Sequence, residues 1–89
     1  MIYLTAIRLS PAGNTLKHIT DVKWFEPSTS KSGEMSREAM VNWINQGGEA
    51  RVKDQRGEAK VEVVNDRPPY LRTVPDGRTT DNLLSLPRF

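Results

Sequence analysis

The chain has 89 residues, no cysteine, one histidine and a formal net charge of +2. A chain of this length forms a single domain and buries roughly 60–65% of the surface that it exposes when unfolded. The absence of cysteine excludes a disulfide framework, a thiolate nucleophile and a zinc knuckle, and it favours the cytoplasm over secretion.

The ends and the apolar runs of the chain indicate neither export nor a membrane. Residues 1–8 lack a basic region followed by a long apolar core, so they do not form a signal peptide. No apolar run approaches the roughly 20 residues that a membrane helix needs. Hydrophobic residues make up only 36% of the chain, which favours a homo-oligomer whose interface supplies further burial.

The N-terminal third predicts two strands joined by a turn, at residues 2–9 and 18–25. Residues 10–14 supply the proline, glycine and asparagine of the turn. If the second strand is regular, one face carries His18, Thr20, Val22 and Trp24, and the other carries Ile19 and Phe25. The polar residues 26–34 are interpreted as an exposed loop.

A helix is predicted at residues 37–46. Ser36 is a good N-cap, and Gly47-Gly48 supplies the left-handed residue at which a helix ends. The apolar residues on the predicted buried side are Met40, Trp43 and Ile44.

The second half predicts a hairpin, a fifth strand and a short helical turn. Residues 49–53 and 58–64 alternate apolar and charged positions, as strands with one solvated face do. Residues 70–74 read as the fifth strand, and a turn at residues 75–77 precedes a helical turn that ends near residue 86. The order β-β-α-β-β-β-short α predicts one α+β domain over residues 1–89, with a twisted, mainly antiparallel sheet of about five strands.

The surplus charge lies in residues 67–89, which hold four arginines against two aspartates, whereas residues 1–66 are neutral. A helical turn that begins near Asp81 and Asn82 presents free amides, which attract anions. We therefore expect a ligand site with aromatic residues to stack on a ring, formed by Arg72, Thr73, Arg78, Asp81, Asn82, Tyr70 and Trp43. In the alternative interpretation, Arg72 pairs with Asp81 and Asn82 only caps the turn.

These features favour a protein without catalytic residues, cofactor or metal. The chain has one histidine, His18, and no cysteine to share a metal with it, and none of its serines lies in a nucleophile motif. The first hypothesis is a non-catalytic binder of a small anionic, nucleotide-like ligand, acting in sensing or sequestration. The alternative is a module that binds a protein or a nucleic acid through an exposed sheet edge or face. The neutrality of residues 1–66 argues against general DNA binding, which uses a basic stripe.

Five segments of the chain also resemble a known family: Thr-Ala-Ile-Arg-Leu, His-Ile-Thr-Asp-Val-Lys-Trp, Met-Val-Asn-Trp-Ile, Pro-Pro-Tyr-Leu-Arg-Thr and Thr-Asp-Asn-Leu-Leu-Ser-Leu-Pro. Together they are similar to a family of short bacterial and phage proteins classed as a domain of unknown function. The two C-terminal motifs are the most specific. The resemblance implies a compact single domain and no particular activity, and it draws attention to residues 70–73 and 81–86 as one unit.

Overall fold

A computed structural model describes residues 1–54, 57–74 and 83–89 of the chain, although the side chain of residue 54 is not described. Its elements alternate between strands, one α-helix and two short 3₁₀ turns. In chain order they are β1 (Ile2–Leu9), a 3₁₀ turn (Leu16–His18), β2 (Ile19–Glu26), β3 (Lys31–Ser36), α1 (Arg37–Asn45), β4 (Ala50–Asp54), β5 (Gly57–Val64), β6 (Tyr70–Thr73) and a second 3₁₀ turn (Leu83–Ser85).

The six strands form one sheet in the order β3-β2-β1-β4-β5-β6. Four of the five neighbouring pairs are antiparallel, but β1 and β4 are parallel, with Ile2 opposite Ala50 and Tyr3 opposite Arg51. The α+β class and the single helix are confirmed. The prediction of about five strands was wrong, and the sheet is mixed because α1 carries the chain back to a position beside β1.

The additional strand is β3, which lies within and just beyond the predicted loop at residues 26–34. It forms an edge of the sheet and pairs antiparallel with β2, so that Trp24 lies opposite Gly33. Its side chains are mostly polar and exposed. An edge strand of this kind shows no apolar alternation, because backbone pairing with one neighbour holds it in place.

The helix begins where the sequence predicts, since the Ser36 hydroxyl accepts the amide of Ala39 at 3.1 Å. Gly47 follows the helix with φ at 104°, the left-handed conformation expected there. Met40 and Val41 on α1 are buried against the sheet. The core that they join contains Ile2, Leu4, Ile7, Ile19, Val22, Met40, Val41, Ala50, Val52, Val61, Leu71 and Leu83.

Ile19 and His18 depart from the predicted second strand. Ile19 is fully buried in the core rather than sharing a face with Phe25, because the pairing of β1 with β2 is irregular between Arg8 and Leu9. His18 lies in the 3₁₀ turn, where its Nδ1 accepts the amide of Thr15 at 3.3 Å.

The C-terminal segment folds back onto the sheet. Leu83 is fully buried in the core. Beyond it, the amide of Ile7 donates to the carbonyl of Pro87 at 2.9 Å, and the amide of Phe89 donates to the carbonyl of Ile7 at 3.1 Å. β1 therefore has β4 beside its first residues and the C-terminal segment beside its later ones. Within the described residues, no helix is both long enough and apolar enough to cross a membrane.

Candidate functional site

Arg72, the central arginine of the predicted ligand site, is held by an acid of the same sheet. Its Nε donates to a carboxylate oxygen of Glu62 at 2.6 Å, and the two residues lie opposite each other on β6 and β5. Ion pairing within the domain is therefore observed for Arg72, with Glu62 as its partner. The predicted site residues Arg78, Asp81 and Asn82 lie outside the described residues.

The remaining described residues of the predicted site are Tyr70 and Thr73 on β6 and Trp43 on α1. Tyr70 borders a concavity of about 530 Å³, and Lys17 Nζ lies 5.8 Å from the centroid of its ring. Thr73 pairs with Val61 across β5 and β6. Trp43, on α1, lines a smaller concavity that shares no lining residue with that of Tyr70. Three described members of the predicted site, Tyr70, Arg72 and Thr73, thus share β6, and Trp43 lines another surface.

A different set of residues converges on the sheet face that points away from α1. Ile2 and Leu4 on β1 are buried, so Tyr3 between them points to the opposite, solvated face. Phe25 lies directly opposite Tyr3 on β2, and 37% of Phe25 is exposed. The two aromatic side chains therefore form an adjacent pair on an open surface.

Three cations lie over aromatic rings on this side of the molecule. Lys53 Nζ is 5.7 Å from the ring centroid of Tyr3. The Arg8 guanidinium carbon is 4.5 Å, and Lys23 Nζ 4.8 Å, from the ring centroid of Phe89. We call this set the aromatic–basic face, and it consists of Tyr3, Phe25, Phe89, Arg8, Lys23 and Lys53.

The cations of the aromatic–basic face contact rings rather than acids. Among the described residues, no carboxylate lies within ion-pairing distance of Arg8, Lys23 or Lys53. Glu58 lies opposite Lys53 in register, but its carboxylate accepts a hydrogen bond from the Tyr3 hydroxyl. Lys23 and Lys53 are consequently available to an anionic partner, whereas the Nε of Arg8 already donates to the main-chain oxygen of Phe89.

The hydrogen bond from Tyr3 to Glu58 also fixes the position of the Tyr3 ring. Because the phenol proton is held by a carboxylate, the bond raises the pKa of Tyr3 above its ordinary value. The side chain stays a neutral hydrogen-bond donor at neutral pH. Its ring is therefore anchored at one end while it remains part of an open face.

An irregularity in β1 shapes the surface around the aromatic pair. The pairing of β1 with β2 shifts between Leu4 and Ala6, which leaves Thr5 as an exposed extra residue. Thr5 and Phe25 line two shallow concavities of about 500 Å³ each, one toward β3 and one toward the C-terminal segment. The aromatic–basic face is thus an open and uneven surface, not an enclosed pocket.

The described residues offer no arrangement for metal binding. None of their histidine, aspartate and glutamate side chains form a group of three that could hold an ion. The His18 ring is hydrogen-bonded to Thr15 and lies against Gly13, where a Cβ would be 2.4 Å from it. The single histidine therefore has a local structural role in the 3₁₀ turn.

Sequence reasoning missed most of the aromatic–basic face. It placed Phe25 on the face of β2 opposite Trp24, but it did not connect Phe25 with Tyr3, which the pairing of β1 with β2 places opposite it. The alternation of apolar residues around Tyr3 was a usable signal. Lys53 and Phe89 reach the face only through the tertiary path of the chain, so no local pattern indicates them.

Comparison with known proteins places the chain in a family. The family model described as "Protein of unknown function (DUF3892)" matches residues 3–87, which is nearly the whole chain. The chain therefore belongs to this family. Neither the curated proteins nor the solved structures gave a match.

Proposed function

We propose that this domain is a non-catalytic module that binds single-stranded nucleic acid through the aromatic–basic face. The observation that carries the proposal is the adjacent pair Tyr3 and Phe25, flanked by Arg8, Lys23 and Lys53. Those three cations have no carboxylate partner among the described residues.

The chemistry of this face matches the two parts of a single strand. Bases stack on aromatic rings, with about 1–3 kcal/mol per base, and they do so with little dependence on sequence. Phosphates are neutralised by lysine and arginine, which release condensed counterions on binding. A paired duplex hides the faces of its bases, so the aromatic pair favours an unpaired strand.

The openness of the face favours a polymer over a free nucleotide. Sites for small molecules bury most of their ligand, typically 70–90% of its surface. The concavities beside Thr5 are shallow and border an exposed aromatic residue. A strand that crosses several such contacts gains affinity from each of them, whereas a mononucleotide uses one.

Net neutrality of residues 1–66 bears less on this proposal than the local arrangement of charges does, because three acids there are already paired with cations. Glu49 is paired with Arg51 at 2.8 Å, and Asp66 with Lys17 at 3.2 Å. Glu62 is held by Arg72. The charge that an approaching strand meets is set locally, by Arg8, Lys23 and Lys53 together with Asp21 and Glu34, which lie opposite Arg8 and Lys23 in register.

The other form of interaction, through a sheet edge, has less support. β3 is an edge strand, but it carries exposed Lys31 and Glu34, and charged residues at an edge discourage pairing with another strand. The nucleic-acid proposal therefore takes the face of the sheet as the site.

Fluorescence anisotropy with a labelled oligothymidylate of about ten nucleotides tests the proposal. We expect saturable binding that weakens with salt, with a slope of log K against log salt near −2, because about three phosphates are neutralised. Thymidine monophosphate and a duplex of equal length should compete poorly. Effective competition by the mononucleotide would instead favour a small nucleotide-like ligand, and absence of oligonucleotide binding at low salt would refute the proposal.

Matched variants locate the site. Phe25→Leu should weaken binding about tenfold through the loss of one stacked base. Lys53→Gln should weaken binding and reduce the salt slope by about 0.7, through the loss of one phosphate contact. Lys17→Gln is the control, since Lys17 also lies over an aromatic ring but borders the surface of Tyr70. Equal losses of affinity in Lys17→Gln and Lys53→Gln would show that the oligonucleotide does not bind at the aromatic–basic face.

A further inference from the structure

Both tryptophans of the chain line one small concavity on the helix side of the sheet. The sequence contains two tryptophans, Trp24 on β2 and Trp43 on α1. The concavity has a volume of about 150 Å³, and its lining is completed by Ile2, Glu26 and Met35. Trp24 and Glu26 alternate with the outward Phe25, so this site and the aromatic–basic face lie on opposite sides of the sheet.

Each indole ring is held against a glycine of the backbone. A Cβ at Gly48 would lie 2.3 Å from Cδ2 of Trp43, and a Cβ at Gly33 would lie 3.0 Å from Cζ2 of Trp24. The distance at Gly48 is possible only where the residue has no side chain, and the distance at Gly33 is tighter than most contacts of a real Cβ. The two rings are therefore positioned by main chain, which limits their freedom before any ligand arrives.

The concavity also carries a negative charge. Glu26 accepts a hydrogen bond from the Thr29 hydroxyl at 2.5 Å, which fixes the carboxylate without neutralising it. Within the described part of the chain, no cation lies within ion-pairing distance of Glu26, although Lys31 is opposite it in register. Two electron-rich rings and one carboxylate thus border the same space.

We propose that this concavity, which we call the tryptophan cage, binds a trimethylammonium group. Indole faces attract cations, and aromatic cages that recognise quaternary ammonium ligands use this attraction. A volume of about 150 Å³ equals roughly five waters at about 30 Å³ each, which suits a nitrogen with four attached carbons. The methyl groups pack on Ile2 and Met35, and Glu26 supplies the countercharge.

The cage discriminates between related groups by charge and hydration. A neutral group of the same shape gains nothing from Glu26 and little from the ring quadrupoles. A primary ammonium is strongly hydrated and needs hydrogen-bond acceptors for its three donors, and the lining offers one carboxylate for them. A quaternary ammonium has no donors, so entry into the cage leaves none unsatisfied.

Intrinsic fluorescence provides a direct test, because every tryptophan of the chain borders the cage. Choline chloride and tetramethylammonium chloride, added at constant ionic strength, should cause a saturable change in emission. The neutral carbon isostere of choline, 3,3-dimethylbutanol, should cause none. If a peptide with trimethyllysine binds more tightly than choline, the ligand is a protein. If choline binds more tightly, the ligand is a small metabolite. Either order of affinities supports the trimethylammonium site.

The carboxylate provides the matched variants. Glu26→Gln keeps the shape and an acceptor for Thr29, and it should weaken choline binding about fivefold. Glu34→Gln, on the exposed side of β3, should leave it unchanged. Circular dichroism establishes that both variants are folded. Equal binding of choline and its isostere, an unchanged affinity in folded Glu26→Gln, or no saturable emission change with choline would overturn the proposal.

Discussion

Arg8 and Phe89 are joined by two contacts that connect β1 to the C-terminal segment. The Nε of Arg8 donates to the main-chain carbonyl of Phe89 at 3.2 Å, and its guanidinium carbon lies 4.5 Å from the centroid of the Phe89 ring. Together with the backbone hydrogen bonds to Ile7, these contacts hold the last residues beside the middle of the sheet.

Removal of the Arg8 side-chain contacts should loosen this attachment. We expect Arg8→Gln to lower the free energy of unfolding by about 1–2 kcal/mol, the sum of an exposed cation–π contact and one hydrogen bond. Urea unfolding followed by circular dichroism measures the change. Lys60→Gln, at an exposed position of β5, should change it by less than about 0.5 kcal/mol. Equal effects in both variants would mean that the Arg8 contacts contribute nothing specific.

Truncation of Leu83 should cost much more, because this residue fills the core. Leu83 is fully buried, and we expect Leu83→Ala to destabilise the domain by about 2–5 kcal/mol through lost burial and the remaining cavity. Leu84→Ala serves as the comparison, since Leu84 is only partly buried against the same core. The same urea experiment should show a smaller loss of unfolding free energy for Leu84→Ala. If Leu83→Ala were as stable as the wild type, Leu83 would not be packed in the core.

The elements set by local signals were predictable, and those set by the path of the chain were not. Ser36 as a cap and Gly47 as the helix end act within a few residues, and both predictions are confirmed. The alternation over residues 49–53 and 58–64 placed Ala50, Val52, Ala59, Val61 and Val63 inward; the first four are buried, and Val63 is partly buried against the core.

β3 and the parallel pairing of β1 with β4 escaped prediction for different reasons. β3 is polar and exposed, so its sequence resembles a loop, and only its partner strand makes it a strand. The parallel pairing involves two residues of each strand and depends on the crossover through α1. The aromatic–basic face was missed for the same reason, because Lys53 and Phe89 approach β1 from distant parts of the sequence.

The hydrogen bond from Tyr3 to Glu58 should make stability depend on pH in the alkaline range. It raises the pKa of Tyr3 in the folded state above the ordinary value of 10.0. The folded state then binds the phenol proton more tightly, so this contribution is complete below pH 10 and is lost as pH rises through the folded-state pKa.

Urea unfolding at a series of pH values up to and beyond 10 checks this dependence. The free energy of unfolding of the wild type should fall more steeply above pH 10 than that of Tyr3→Phe, which has no phenol proton to lose. Tyr70→Phe is the control and should retain the steep fall. Parallel curves for the wild type and Tyr3→Phe would exclude the linkage.

The two glycines after α1 should respond differently to alanine. Gly47 has a positive φ with open space around its Cβ position, so Gly47→Ala should cost about 1–2 kcal/mol through the backbone alone. At Gly48 the added methyl collides with Trp43, and overpacking of this kind costs about 1–3 kcal/mol.

Fluorescence separates these two effects. Only Gly48→Ala should shift the tryptophan emission of the folded protein, because only there must the Trp43 ring move. An emission spectrum of Gly48→Ala identical to that of Gly47→Ala would show that Trp43 does not rest on Gly48.

The pairing of β1 with the C-terminal segment also bears on how the protein is made. Arg8 leaves the ribosome long before Phe89, since 81 positions of sequence separate the two. Throughout synthesis, the later half of β1 therefore has a backbone edge whose partner does not yet exist. The nascent chain completes the pairing of its central strand only after residues 87–89 have been synthesised, and a chain that is released before them leaves the edge beside Ile7 unpaired.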